Sequence, residues 1–166
     1  MIRTLAKLRV PLGFLAGAVA LWLARPTTHS IALGAAIALP GELLRIWAAG
    51  HLTRWREVTR SGPYRFMSHP LYVGSSIMAI GFAVAAVHPA VIALVVAYMV
   101  VTLTAAVRFE ARELHAQFGA DYDAYRQGQP ASHTRRFSVA RVIANREYRA
   151  ASGLLIGLAL LWWRAQ

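Results

Sequence analysis

The sequence contains no cysteine. A secreted domain held together by disulfides is therefore excluded, and so are cysteine-ligated zinc sites, iron–sulfur clusters and thiol nucleophiles. The phosphate-binding loops, zinc-protease motifs and serine-hydrolase motifs of common enzymes are also missing. The histidines are scattered without the spacing of metal ligands, which predicts no metal site; they are His29, His51, His69, His88, His115 and His133.

Charged residues are few, and Asp and Glu are fewer than Lys and Arg. Only 15% of the 166 residues are charged and 57% are hydrophobic, whereas soluble domains average roughly 25% and 45–50%. A chain this apolar does not stay solvated as a disordered polymer. The composition therefore predicts an integral membrane protein, a single all-α domain over residues 1–166.

Five apolar stretches predict a bundle of about five transmembrane helices. They lie near residues 10–24, 31–49, 71–87, 90–107 and 150–163. A full crossing needs about 20 helical residues, and the third and fourth stretches come close to that length. Between these two, His88-Pro89 leaves room only for a tight hairpin. The first and last stretches are shorter and need flanking Lys and Arg side chains that reach the interface.

The basic residues predict the orientation of the bundle. If the N-terminus is cytoplasmic, every Lys and Arg except Arg25 and Arg164 lies on the cytoplasmic side. The net charge of +11 is then mostly juxtamembrane, so the expected partner is anionic lipid rather than nucleic acid. We expect an inner or plasma membrane protein whose N-terminus and active site face the cytoplasm.

Two pairs of glycines have the spacing that allows membrane helices to approach closely. They are Gly13 with Gly17 and Gly153 with Gly157. We interpret both pairs as packing positions, either within the bundle or between the copies of a homo-oligomer.

The first polar block, residues 61–74, precedes the third apolar stretch. Its Gly-Pro and His-Pro dipeptides indicate turns, and Pro70 is well suited to begin a helix. The free N–H groups of that helix would suit a carboxylate or a phosphate. His69 and Tyr72 are three residues apart across the first turn and would face one cavity. The alternative is an interfacial loop anchored by Tyr and Arg side chains.

The second polar block, residues 108–119, continues the fourth apolar stretch. If the helix continues through it, Glu110, Glu113 and Gln117 form one stripe, and Arg108, Arg112 and His115 form another. Gly119 then ends the helix. Carboxylates at a membrane boundary need a partner, so these acids either pair with nearby arginines or bind a ligand.

Together the two blocks carry the motifs G-P-Y-R-x-x-x-H-P-x-Y-x-G and E-x-x-x-L-x-x-x-F-G-x-x-Y-x-x-Y. In this respect the chain resembles the superfamily of isoprenylcysteine carboxyl methyltransferases and phospholipid methyltransferases. The resemblance extends from Thr59 to about Arg126. It implies a membrane-embedded methyltransferase that uses S-adenosyl-L-methionine, with the cofactor pocket at the cytoplasmic ends of the last helices.

The resemblance also implies individual roles. The residues that would line the cofactor pocket are Tyr64, His69, Pro70, Leu71 and Tyr72, with residues 56–59 as a further wall. Glu110 would contact the cofactor, because a carboxylate accepts from ribose hydroxyls or pairs with an ammonium group. In the second block, Arg108, Glu113 and His115 are the predicted catalytic residues. Either of the last two, or His69, would serve as the base for an amine or thiol acceptor.

Three positions depart from the pattern of the family. Ser68 and Ala111 replace an Arg and a Glu of its motifs. The isoprenylcysteine enzymes place a substrate-orienting Arg one turn before the cofactor carboxylate, and that position is Ala106 here. These departures argue against a prenylcysteine carboxylate as the substrate.

We therefore expect methyl transfer to a lipophilic or amphipathic small molecule that enters from the bilayer. One alternative is a reductase of sterol or isoprenoid double bonds, which shares the H-P-x-Y-x-G segment and uses NADPH. Residues 108–113 match the nucleotide-binding stretch of such reductases poorly. A non-catalytic membrane scaffold is the other alternative, but it leaves the two polar blocks unexplained.

Overall fold

The computed structural model describes residues 2–54, 56–129 and 135–166, with only the backbone for residues 2–10. The described residues contain helices and no strand, which confirms the all-α prediction. These described residues form seven α-helices: α1 (Ile2–Leu23), α2 (Thr28–His51), α3 (Pro70–Ala86), α4 (Pro89–Phe118), α5 (Ala120–Arg126), α6 (Val139–Ala144) and α7 (Tyr148–Arg164). A short 3₁₀ helix, Gly62–Arg65, precedes α3.

Local sequence signals determine where the long helices begin. Thr27 caps α2 by accepting the backbone N–H of Ser30 at 3.1 Å, and Ser30 Oγ accepts the N–H of Thr27 in return. Pro70 and Pro89 occupy the first turns of α3 and α4, where a backbone N–H is not needed. Only Val87 and His88 separate these two helices, so the predicted tight hairpin is confirmed.

Two of the helices, α2 and α4, are long and apolar enough to cross a membrane by length and composition. At about 1.5 Å per residue, the 30 residues of α4 span about 45 Å, whereas a bilayer core is about 30 Å thick. A crossing by α4 would therefore leave its C-terminal part, which carries the second polar block, outside the bilayer. Each of the five predicted spans coincides with one long helix, but that all five cross the bilayer stays a prediction.

Hydrogen bonds align the long helices at one end of the bundle. The N–H of Arg25 donates to the carbonyl of Ala86 at 2.8 Å, which joins the ends of α1 and α3. Arg164 at the end of α7 donates to the carbonyls of Ala24 and Trp22 at 2.8 and 2.7 Å. The C-terminal ends of α1, α3 and α7 thus meet at one face, as the predicted topology requires.

The outer surface of the bundle is strongly apolar. Phe14, Trp22 and Trp163 are 78%, 73% and 74% exposed, and many Leu, Ile and Val side chains share this exposure. Soluble monomers rarely expose apolar surface on this scale. A surrounding lipid phase accounts for it.

The closest packing in the bundle joins α2 to α3 through glycine. A Cβ atom at Gly41 would lie 2.6 Å from the carbonyl oxygen of Gly74, and one at Gly81 would lie 2.5 Å from that of Gly34. Within each helix the two glycines are seven residues apart: Gly34 and Gly41 in α2, and Gly74 and Gly81 in α3. The two helix backbones therefore touch twice along one seam.

The glycine pairs singled out from the sequence pack differently. Gly13 faces the Tyr98 side chain and Gly157 faces the Phe82 ring, while Gly17 and Gly153 have nothing within 4 Å. Packing within the bundle is therefore confirmed for one member of each pair, against aromatic side chains rather than helix backbones.

Candidate functional site

A cavity of about 630 Å³ lies where the polar blocks meet the apolar helices. Its size is within the range of about 300–1,000 Å³ that is typical of small-molecule sites. The six residues expected to bind the cofactor all line it: Tyr64, His69, Pro70, Leu71, Tyr72 and Glu110. The structure thus brings the two separate motifs together at one place.

The first polar block is held in shape by a tight turn against α2. Gly62 has a φ of +60°, and a Cβ atom there would lie 2.5 Å from the imidazole ring of His51. That ring is buried, and its Nδ1 is 3.2 Å from the hydroxyl of Ser61. Only glycine fits this turn, which then directs Pro63 and Tyr64 inward to buried positions.

Glu110 is the centre of the polar wall. Its Oε2 atom is 3.5 Å from Nδ1 of His69, and Tyr72 also donates a hydrogen bond to it. Burial alone would raise the pKa of Glu110, but the hydrogen bonds from His69 and Tyr72 and the charge of Arg54 outweigh it, so the pKa lies below its ordinary value. Glu110 is therefore an ionised carboxylate that faces the cavity.

Tyrosines surround this carboxylate. Tyr64 is 8% exposed, and burial together with the charge of Glu110 raises its pKa, which keeps the phenol neutral. Tyr125 in α5 donates its hydroxyl to the carbonyl of Tyr64 at 3.2 Å. The ring centroids of His69 and Tyr72 are 5.6 Å apart, so the two aromatic side chains share one wall.

Helical geometry determines which side chains of α4 reach the cavity. Thr102, Ala106 and Glu110 are four residues apart and line it together. Arg108 lies about 200° and His115 about 140° around the helix from Glu110, and Glu113 lies a turn further along. All three of these side chains are exposed and none lines the cavity.

The structure therefore does not bring the predicted catalytic residues Arg108, Glu113 and His115 together with the other six. The sequence-based expectation placed catalytic residues on both stripes of the second polar block, whereas only Glu110 of that block lines the cavity. His115 Nε2 instead lies 3.4 Å from Asp123 of the neighbouring α5.

A second cavity, of about 50 Å³, adjoins the first. The two share Arg54, Tyr64, Ser68, His69 and Glu110. Glu57, Val58 and Thr59 line the smaller one, so most of the segment 56–59 does form a wall beside the site. Within the described residues no cluster of three acidic or histidine side chains is placed to hold a metal ion; His133 lies outside those residues.

Sequence reasoning missed a charged group on the opposite side of the cavity. Arg45 of α2 donates from Nε to Oε1 of Glu147 at 2.6 Å, and it also donates to Ser75 and to the carbonyl of Leu71 at 3.3 Å. Arg45 and Glu147 line the cavity, together with Asn145, Arg146 and Arg149. Glu42 and Arg45 interrupt an otherwise apolar stretch, which was the one signal in the sequence.

The remaining wall is apolar and lies at membrane depth. It consists of side chains from α1 and the middle of α4, namely Phe14, Tyr98, Met99 and Leu103. The cavity therefore joins a polar end beside Glu110 to an apolar side within the predicted membrane layer.

This fold and this cavity define a helical membrane protein with a small-molecule site between polar and apolar walls. The chain belongs to the phospholipid methyltransferase family, whose model matches residues 12–121. The family implies a methyltransferase that works at a membrane, and it confirms the superfamily indicated by the two motifs. No curated protein and no solved structure matches the chain.

Proposed function

We propose that this protein transfers a methyl group from S-adenosyl-L-methionine to a lipophilic or amphipathic small molecule that enters from the bilayer. One observation carries the proposal: Glu110, His69, Tyr72 and Tyr64 converge on a cavity that also has an apolar wall from α1 and α4. Such a cavity admits a polar cofactor and an apolar acceptor at the same time.

The residues present fit the cofactor's chemistry. The ionised carboxylate of Glu110 can accept from ribose hydroxyls or pair with an ammonium group, and the faces of Tyr64 and Tyr72 tolerate a cationic sulfonium. S-adenosyl-L-methionine, when bound, supplies the activated methyl group. The remaining work for the chain is to hold both partners in line and to exclude water.

Proton transfer depends on the acceptor. A carboxylate acceptor needs no base, whereas an amine or a thiol must lose a proton. Of the three bases expected from the sequence (His69, Glu113 and His115), only His69 lines the cavity. We therefore assign this role to His69 and not to the exposed side chains of α4.

The orientation and the lipid partner follow from the same proposal. The polar end of the cavity faces the cytoplasm, where the cofactor is made, and the surrounding arginines favour anionic lipid. The family match favours this function over the NADPH-dependent reductase and over the scaffold.

The test is to incubate the purified protein with S-adenosyl-L-methionine labelled in its methyl group and a mixture of lipids and small hydrophobic molecules. Mass spectrometry should detect a labelled apolar product, and a Tyr64→Leu variant should form much less of it. Absence of any labelled product, together with binding of NADPH, would refute the proposal.

A further inference from the structure

The junction between α6 and α7 brings two arginines to the cavity. Arg146 and Arg149 line it, although they lie beyond the segment 12–121 that matches the family model. Within the described residues, neither guanidinium makes a hydrogen bond or an ion pair. The junction thus provides cationic groups that the protein itself does not neutralise.

The backbone at this junction is in a conformation that favours glycine. The N–H of Glu147 donates to the carbonyl of Val142 at 3.1 Å, and the N–H of Arg146 donates to that of Ile143 at 2.9 Å. This pair of bonds is the Schellman motif, whose left-handed position is usually glycine. Here Arg146 occupies it with a φ of +58°. The backbone alone would favour glycine at this position, so backbone conformation does not account for an arginine here.

The neighbours of Arg146 hold the junction in place from both sides. Asn145 donates through Nδ2 to the carbonyls of Ala49 and Leu52 at 2.9 and 3.0 Å, at the end of α2. Glu147 accepts from Arg45 at 2.6 Å. Arg146 lies between these two anchored residues, so its Cα position beside the cavity is well fixed.

The facing wall of the cavity offers an acidic ligand no cation away from Glu110, because Arg54 lies beside that carboxylate. Ala106 lies there, 3% exposed, one turn before Glu110. Arg45 already pairs with Glu147. An anionic group in the cavity, away from Glu110, would therefore meet the free guanidinium groups of Arg146 and Arg149 first.

We propose that Arg146, assisted by Arg149, binds an anionic group of the methyl acceptor, a carboxylate or a phosphate. The acceptor is then an acidic amphiphile whose apolar part lies against Phe14, Met99 and Leu103. Both arginines are exposed at the cavity mouth, which suits a head group held at the interface. This inference rests on the proposed function, since it takes the cavity as the place where the acceptor binds.

The test uses the full chain in a nonionic detergent and three probes: tetradecanoate, dodecyl phosphate and the neutral tetradecanol. Wild type should bind at least one anionic probe at least tenfold more tightly than tetradecanol. Arg146→Gly should lose that preference tenfold or more, while its melting temperature stays equal or rises because the left-handed position is relieved. The two anionic probes show whether a carboxylate or a phosphate is preferred.

Two control variants separate charge and backbone effects from binding. Arg112→Gln removes one exposed positive charge outside the cavity, and Val87→Gly relieves the other left-handed non-glycine residue, which has a φ of 49°. Both should keep the wild-type preference for the anionic probe. Equal losses in Arg112→Gln and Arg146→Gly would mean general attraction to a charged surface and would overturn the proposal.

S-adenosylhomocysteine binding is measured in parallel, so that this proposal and the proposed function can fail separately. Wild type and Arg146→Gly should bind it equally. If Arg146→Gly loses S-adenosylhomocysteine but keeps the anionic probes, the arginine contacts the cofactor and the proposal is wrong. If wild type does not bind S-adenosylhomocysteine at all, the proposed function fails, whatever the probes show. Arg149→Gln serves as the second variant should Arg146→Gly not fold.

Discussion

Arg45 lies between two carboxylates that are held very differently. Oε1 of Glu147 accepts from its Nε at 2.6 Å, whereas Oε2 of Glu42 is 3.7 Å away. Glu42 is only 6% exposed, and neither of its carboxylate oxygens has a hydrogen-bond partner among the described residues. The first carboxylate therefore joins α2 to the start of α7, and the second contributes no hydrogen bond.

We predict that Glu147→Gln lowers the free energy of unfolding by about 3 kcal/mol, because it removes the charge of the carboxylate to which the mostly buried guanidinium of Arg45 donates. Glu42→Gln should change it by less than about 1 kcal/mol, since no hydrogen bond is lost. Thermal unfolding of both variants in the same detergent provides the comparison. Equal effects would show that Arg45 depends on both carboxylates.

His69 and Tyr72 provide a second prediction at this scale. His69→Gln and Tyr72→Trp should each reduce methyl transfer at least tenfold, equal to about 1.4 kcal/mol or more, because both side chains shape the wall around Glu110. Their melting temperatures without cofactor should stay near that of wild type. His29→Gln, at an exposed histidine distant from the cavity, is the matched control. Normal turnover in both cavity variants would make this turn an interfacial anchor only.

The seam between α2 and α3 is the element on which the site depends. It fixes the start of α3, which carries His69 and Tyr72, against the helix that carries Arg45. Carbonyl oxygens of one helix lie under the Cα atoms of the other at Gly34, Gly41, Gly74 and Gly81. Because the contact is with backbone, no side chain can move aside to make room.

A single methyl group at this seam should be costly. We predict that Gly81→Ala lowers the free energy of unfolding by about 1–3 kcal/mol through overpacking. Gly153→Ala, whose Cβ atom would meet nothing within 4 Å, should leave it unchanged or raise it by up to about 1 kcal/mol through helix propensity. The free energy of unfolding of the two variants should be compared in one detergent. An unchanged value for Gly81→Ala would contradict the close approach of α2 and α3.

At the scale of the whole molecule, the two polar blocks must lie on one side of the membrane if they form one site. Single cysteines introduced at Arg56 and Gln127, both exposed, should label from the cytoplasmic side of sealed vesicles. A cysteine at His29, at the start of α2, should label from the other side. The absence of native cysteine makes the assay free of background. Labelling of Arg56 and Gln127 from opposite sides would refute this topology.

Much of the fold could be predicted because apolar length and proline positions are local signals. The five apolar stretches coincide with the long helices, and Pro70 and Pro89 lie in the first turns of α3 and α4. The glycine seam was not predicted, because the two glycines in each helix are seven residues apart. They face the glycines of the other helix only after α2 and α3 have packed together. The glycine pairs that were predicted to pack, Gly13 with Gly17 and Gly153 with Gly157, face aromatic rings or open space.

The site also contains residues that could be predicted from the sequence and residues that could not. Tyr64, residues 69–72 and Glu110 could be named because two motifs carry them, and the structure places them in one cavity. The Arg45–Glu147 pair joins residues 102 positions apart, and no local pattern relates them. Arg108, Glu113 and His115 were expected at the site because they are close to Glu110 in sequence. The helix turns Arg108 and His115 to other sides, however, and places Glu113 a turn beyond the cavity.

The most direct test of the central claim is a calorimetric titration of the purified protein with S-adenosylhomocysteine. Wild type should bind it, and Glu110→Gln should bind it about 1.5–3 kcal/mol more weakly, the scale of a charge-assisted hydrogen bond. The difference should persist from pH 8 to pH 6, because the pKa of Glu110 lies below 4.5 and the carboxylate stays ionised throughout. Glu113→Gln, an exposed acid one turn further along α4, should bind like wild type. Equal binding by a folded Glu110→Gln variant, or binding of NADPH instead, would contradict the account.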